Sequence, residues 1–179
     1  QDFAPPPRWN LQRALGVMVR VCQTVAYAHA RGVIHRDLKP ANIMVGDLGE
    51  VYVLDWGLAK IAGRRDIHDI RLRPEDAGDA RTRITSTVRG ESDDGALVTM
   101  DGAILGTAAY MPPEQAQGRV EEVGPRSDVY SIGAMLYHLL TGRMPYVAPG
   151  EKVTARTVLS MVLNGPPKRI EELAQGVPD

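Results

Sequence analysis

Between Ser127 and Gly142 the chain is apolar almost without a break: Val129-Tyr130-Ser131-Ile132-Gly133-Ala134-Met135-Leu136-Tyr137-His138-Leu139-Leu140. Ser127 suits a helix N-cap and Gly142 a helix stop. A helix that is hydrophobic nearly all round has no face to offer to water, so it belongs inside a core or a membrane. This stretch falls short of the ~20 residues that cross a bilayer. It therefore predicts a helix buried at the centre of a domain, with the rest of the chain packed around it.

The remaining sequence is compatible with one such domain. At 179 residues the chain is long enough to bury a core. Its 44% hydrophobic and 24% charged residues read as soluble and globular. The net charge of −1 gives no general attraction for polyanions, so nucleic-acid binding has no support. Cys22 stands alone, which excludes an intrachain disulfide and a cysteine metal site; its place on a helix predicts a small core residue. Neither a membrane span nor a signal peptide is visible, and the expected location is cytoplasmic, although an anchor elsewhere in a parent protein stays open.

Helix signals appear first at Asn10, a candidate cap for a helix to about Arg31. Leu11, Leu15, Met18, Cys22, Val25 and His29 recur on one face, and Gly32 suits the stop. Residues 2–8 carry three consecutive prolines and read as irregular. Ile43-Met44-Val45 and Val51-Tyr52-Val53-Leu54 read as two strands joined by a turn at Gly46-Asp47-Leu48-Gly49. Residues 61 to about 103 are rich in Arg, Asp, Gly, Ser and Thr and read as one long loop. A helical turn is expected from Pro112, and a last helix from about Thr154 to Leu163, ended by Gly165-Pro166-Pro167.

The polar residues that stand out are clustered. His35-Arg36-Asp37-Leu38-Lys39-Pro40-Ala41-Asn42 precedes the hairpin, and Asp55-Trp56-Gly57 follows it. Phosphoryl transfer needs in-line positioning, neutralised phosphate charge and a group to take a hydroxyl proton. Asp37 is a candidate base. Lys39, two residues on, is a candidate contact for the transferring phosphate. Asn42 and Asp55 offer the two oxygen ligands that Mg²⁺ commonly takes from protein, with waters and phosphates completing its shell. A lone Asp-Trp-Gly after a strand is usually only a turn; its place after the first motif gives it the metal reading.

These motifs resemble the C-terminal lobe of bacterial-type (Hanks-type, eukaryotic-like) serine/threonine protein kinases. His35 to Asn42 is similar to the catalytic loop H-R-D-L-x-x-x-N at every fixed position. Asp55-Trp56-Gly57 resembles the metal-binding Asp-Phe-Gly with Trp for Phe, Gly106-Thr107-Ala108-Ala109-Tyr110-Met111 the peptide-positioning loop, and Pro112-Pro113-Glu114 the family's Ala-Pro-Glu. Asp128 to Gly133 resembles the start of the family's central helix. The implied fold is mainly α with a small β-hairpin, with the catalytic loop at 35–42, the metal motif at 55–57 and an activation segment at 55–114. The implied reaction moves the γ-phosphate of ATP, with Mg²⁺, to a Ser or Thr of a protein substrate.

The resemblance also implies roles. Asp37 is the base, Lys39 the γ-phosphate contact, and Asn42 and Asp55 bind Mg²⁺. Thr107 hydrogen-bonds near Asp37 and Lys39. Asp128 anchors the loop backbone, or simply favours its helix N-terminus. His35 is a buried structural imidazole, not a proton shuttle. Arg36 pairs with a phosphate on the activation segment. Among Thr82, Thr85, Ser86, Thr87, Ser92 and Thr99, the expected phosphosite is Thr99, with Asp101 beside it; Arg64, Arg65, Arg71, Arg73, Arg81 and Arg83 read as solvated.

Other family parts have no counterpart in the sequence. No G-x-G-x-x-G occurs, and none of Lys39, Lys60, Lys152 and Lys168 sits in a Val-Ala-Ile-Lys-like strand. The N-lobe is therefore expected upstream of this segment, and the C-terminal helices are expected to be truncated. Glu114 would then lack the family's arginine partner, and the isolated segment would be unstable and inactive. The alternative reading is a non-catalytic pseudokinase or scaffold fragment.

Overall fold

The computed structural model describes residues 10–61, 105–151 and 153–174. The proline run at 2–8, most of the segment 61–103 and all the hydroxyls from Thr82 to Thr99 lie outside the described residues.

Helix α1 (Leu11–His29) starts where its cap predicts. The Asn10 side chain accepts from Arg13 N at 2.8 Å and satisfies one of the unpaired first-turn donors. Gly32, at φ 72°, turns the chain out of the helix in a conformation that costs glycine little. The buried stripe meets the expected one at Met18 and Val25 and departs from it at Leu11 and Cys22. Val21 and Val25 are buried, with Val17 and Met18 packed beside the core, whereas Leu11 is 50% exposed and Cys22 lies at the surface. Cys22 is thus not a core residue. Apolar side chains fill two adjacent stripes of α1, and periodicity alone does not say which one meets the core.

Four short strands follow: β1 (Val33–Ile34), β2 (Ile43–Val45), β3 (Val51–Val53) and β4 (Lys60–Ile61). β2 and β3 form the expected antiparallel hairpin, pairing Ile43 with Val53 and Val45 with Val51. β1 and β4 also pair antiparallel, Val33 with Ile61 and Ile34 with Lys60. The sequence reading has no counterpart for this second pair, because two residues carry no period. Both pairs flank the polar motifs: β1 precedes His35 and β4 follows Gly57.

Helix α2 (Pro113–Ala116) is the expected turn after Pro112, and a 3₁₀ turn at Val120–Glu122 leads to α3 (Pro125–Thr141). Ser127 is not the cap of α3. It lies inside the first turn, where its Oγ accepts from Gly124 N at 3.0 Å. Gly142, at φ 67°, ends the helix. The expectation of burial all round is corrected too: Val129 is 62% exposed, and the covered face is Ser127, Asp128, Ser131, Ala134, Met135 and Tyr137. This face is rich in small and polar residues, and neighbouring backbone donates to Asp128 and Ser127 and accepts from Ser131. Helix α4 (Ala155–Asn164) is capped by Thr154, whose Oγ1 accepts from Thr157 N at 3.2 Å.

The core joins Val21 and Val25 of α1, Leu38, Val53 of β3, Ala108 to Tyr110, Ala134 and Met135 of α3, and Val158 and Val162 of α4. It lies directly beneath the polar cluster. Among the described residues no helix is long and apolar enough to cross a membrane.

Candidate active site

Leu38 explains how a polar loop is held still. It is 2% exposed and part of the core; burying such a side chain contributes about 1.5–3 kcal/mol. The side chains of Asp37 and Lys39 on either side keep 11% and 21% of their surface. Lys39 Nζ lies 2.9 Å from Asp37 Oδ2 and 2.9 Å from Thr107 Oγ1. Those bonds use two of the three donors of an ammonium group. Residues 105–108 form a helical turn, closed by Ala109 N on Leu105 O at 3.2 Å, which presents Thr107.

Asn42 folds the loop back on itself. Pro40–Asn42 is a 3₁₀ turn, and Asn42 Nδ2 donates to Asp37 O at 2.7 Å and to Asp37 Oδ2 at 3.2 Å. With the amide nitrogen turned to Asp37, the Asn42 Oδ1 is the atom left for a cation. Leu54 N donates to Asn42 O at 2.8 Å, so Asp55 emerges one residue from this backbone contact. Asp55 is exposed and holds φ 60°, and a Cβ on Gly57 would come within 3.2 Å of its Oδ1. The glycine therefore leaves the carboxylate room.

His35 and Asp128 support the loop from below. His35 is fully buried. Its Nε2 lies 3.0 Å from Leu54 O, which only accepts, so Nε2 carries the proton; Nδ1 accepts from Asp37 N at 3.2 Å. Both ring nitrogens are occupied by backbone. Trp56 packs against His35 with ring centroids 4.5 Å apart and donates from Nε1 to Val53 O at 2.9 Å. Asp128, 1% exposed, accepts from His35 N at 2.8 Å, from Arg36 N at 2.9 Å and from His29 Nε2 at 2.7 Å.

Arg36 sits at φ 72°, a left-handed conformation that costs a non-glycine residue roughly 1–3 kcal/mol. It is 2% exposed, and its Nε donates to Leu58 O, tying the loop to the turn after Asp55. Half-buried Glu114 accepts from Ser127 Oγ at 2.5 Å; no arginine partner of Glu114 occurs among the described residues.

The structure thus brings Asp37, Lys39, Asn42 and Thr107 into direct contact, sets Asp55 at the adjoining strand end, and places His35, Arg36 and Asp128 beneath them. Thr99 lies outside the described residues. Three supports have no counterpart in the sequence reading. His29, placed only on an apolar stripe, bonds Asp128. Lys60 Nζ donates to Val120 O and Val123 O at 3.1 and 3.2 Å. Tyr110 Oη and His138 Nδ1 lie 2.6 Å apart; burial pushes Tyr110 up to about 12 and His138 down, so both are held neutral. A polar residue inside an apolar run was the available signal for His29 and His138; for Lys60 there was none. A cavity of about 460 Å³ near Tyr137, Tyr146 and Met161 is lined by none of the clustered residues.

Residues 9–75 match the protein kinase domain. The chain is 42% identical over 130 residues to the serine/threonine-protein kinase PknD of Protochlamydia amoebophila, covering 73% of this chain and 12% of that protein. It is 38% identical over 136 residues to PknB of Mycolicibacterium smegmatis, covering 76% and 17%. It is 35% identical over 146 residues to PknB of Mycobacterium leprae, covering 82% and 18%. The chain therefore spans between 12% and 18% of the length of these curated relatives, all named as serine/threonine-protein kinases.

Proposed function

We propose that this chain is the C-terminal, catalytic-loop lobe of a bacterial-type serine/threonine protein kinase, and that its parent transfers the γ-phosphate of ATP to a Ser or Thr of a protein substrate in the cytoplasm. The observation that carries the reading is the bridge of Lys39 between Asp37 and Thr107, 2.9 Å to each. It joins a base, a cation and a hydroxyl from segments 68 residues apart in sequence.

Each side chain then has a task. Asp37 Oδ2 is held by Lys39 and Asn42, which leaves Oδ1 to orient a substrate hydroxyl and take its proton. The remaining donor of Lys39 neutralises charge on the transferring phosphoryl group. Asn42 Oδ1 and the exposed Asp55 carboxylate are hard oxygen donors and fit Mg²⁺. ATP with Mg²⁺ supplies the phosphoryl group and part of the charge neutralisation. The glycine-rich loop and strand lysine that would cover ATP are assigned to a part of the parent outside this chain. Arg36 and Thr99 are assigned the regulatory pairing.

The test is Asp37→Asn in the full-length parent. Asparagine keeps the shape but not the basicity, so phosphate transfer should fall by about 10²–10⁴-fold while the protein still folds, as read by circular dichroism. Activity within a few-fold of wild type removes Asp37 from the role of base.

A further inference from the structure

Gln115, in the short helix α2, is 7% exposed, and its Oε1 is the single buried side-chain oxygen or nitrogen without a hydrogen-bond partner among the described residues. A buried carbonyl oxygen gives up its bonds to water on folding, so one left unpaired calls for an explanation. Gln115 also lines a small, partly open cavity of about 10 Å³. The wall also includes Arg36, Asp37, Thr107, Tyr110 and Ser131. About 10–15 Å³ is the room one water needs, together with two to four polar partners.

The wall has such partners. Ser131 Oγ has one proton, directed to Tyr110 O at 2.9 Å or Ser127 O at 3.2 Å, so its lone pairs are left to accept. Gln115 Oε1 is a second acceptor, and residues of the catalytic loop and of the 105–111 segment complete the lining. We infer that one ordered water molecule binds here, donating to Gln115 and Ser131, and that it joins α2 and α3 to the underside of the Asp37–Lys39–Thr107 bridge. Gln115 is then a positioning residue: it touches no substrate but sets how the segment carrying Thr107 sits against the loop. The water site stands without the kinase reading; its kinetic consequence rests on that reading.

The experiment has two arms. In the full chain, water-to-protein cross-relaxation NMR should show a long-lived water both at the Gln115 side-chain amide and at the Ser131 side-chain protons. Gln115→Met, equal in shape but without an acceptor, should abolish the signal at Ser131. No such water in the wild-type chain, or one that persists in the methionine variant, overturns the site. In the full-length parent, Gln115→Met should raise KM for the protein substrate roughly two- to tenfold, the scale of one net hydrogen bond, with KM for ATP unchanged. Equal changes in both KM values, or none, refute the positioning role. A parent without kinase activity refutes the kinase reading while leaving the NMR result intact.

Discussion

Replacing Asp128 puts the most specific demand on this account of the site. Its carboxylate takes three donors: His35 N and His29 Nε2 on Oδ2, and Arg36 N on Oδ1. Two are backbone groups that have no water to turn to, since Asp128 is 1%, His35 0% and Arg36 2% exposed. A buried donor left unmade costs about 1–3 kcal/mol. Asp128→Ala strands both, for roughly 2–6 kcal/mol, a large part of the whole stability of an ordinary domain. The third bond adds little, because the His29 side chain is 16% exposed and can reach solvent.

Asp128→Asn should be milder in a defined way. Its amide keeps one oxygen, and the better orientation places it on the Oδ2 side, where two donors meet. Only the Arg36 bond is then lost, for about 1–3 kcal/mol. His29→Ala should cost about 1 kcal/mol in the native background and close to nothing beside Asp128→Ala, since the two share one interaction. Urea unfolding of the parent's kinase domain at neutral pH, followed by circular dichroism, measures all four. The reasoning fails if Asp128→Ala costs under about 1 kcal/mol, or if asparagine is worse than alanine.

Three further outcomes concern other buried contacts. Burial depresses His138 below 6.5, so under about pH 6.5 the unfolded chain binds more protons than the folded one and stability falls as pH drops. Tyr110, raised to about 12, contributes stability that is complete below pH 10 and lost as pH climbs through 12. Urea midpoints against pH should show both flanks, and His138→Gln should flatten the acid one; an unchanged acid flank sinks the idea. Lys60→Met removes bonds to Val120 O and Val123 O from a half-buried ammonium and should cost about 1–2 kcal/mol, read from the urea midpoint. An unaltered midpoint would show that water replaces both bonds.

Local signals and long-range contacts differ in how far the sequence exposes them. The Asn10 cap, the Gly32 and Gly142 stops and the β2–β3 hairpin depend on residues a few positions apart, and they were legible. So was the cluster of Asp37, Lys39 and Asn42, because a tight 3₁₀ turn keeps it within six residues. The stripe of α1 that faces the core was legible only in part, at Met18 and Val25, since apolar residues fill two neighbouring stripes. The α3 helix misled for a related reason: its apolar letters run all round, but Ser127, Asp128 and Ser131 make its most consequential contacts. Periodicity counts hydrophobic residues and gives no weight to a buried aspartate.

That aspartate indicates how the candidate site is kept in order. Arg36 and Asp55 both hold left-handed backbone, which neither would adopt unaided, on the two sides of the polar cluster. Such strain persists only where the surroundings over-determine it. For Arg36 the determinants are Asp128 beneath its amide and Leu58 O on its side chain. For Asp55 they are the β3 strand before it, Leu54 N bonded to Asn42 O, and the paired β4 strand after it. The constraints come from α1, α3 and both strand pairs, none of which supplies the reacting groups. A loop held this way is preorganised rather than gathered on binding, which favours stabilising developing charge without reorganisation. It follows that damage to the supports should appear as lost order in residues 35–42 before any acidic or basic group of the cluster is touched.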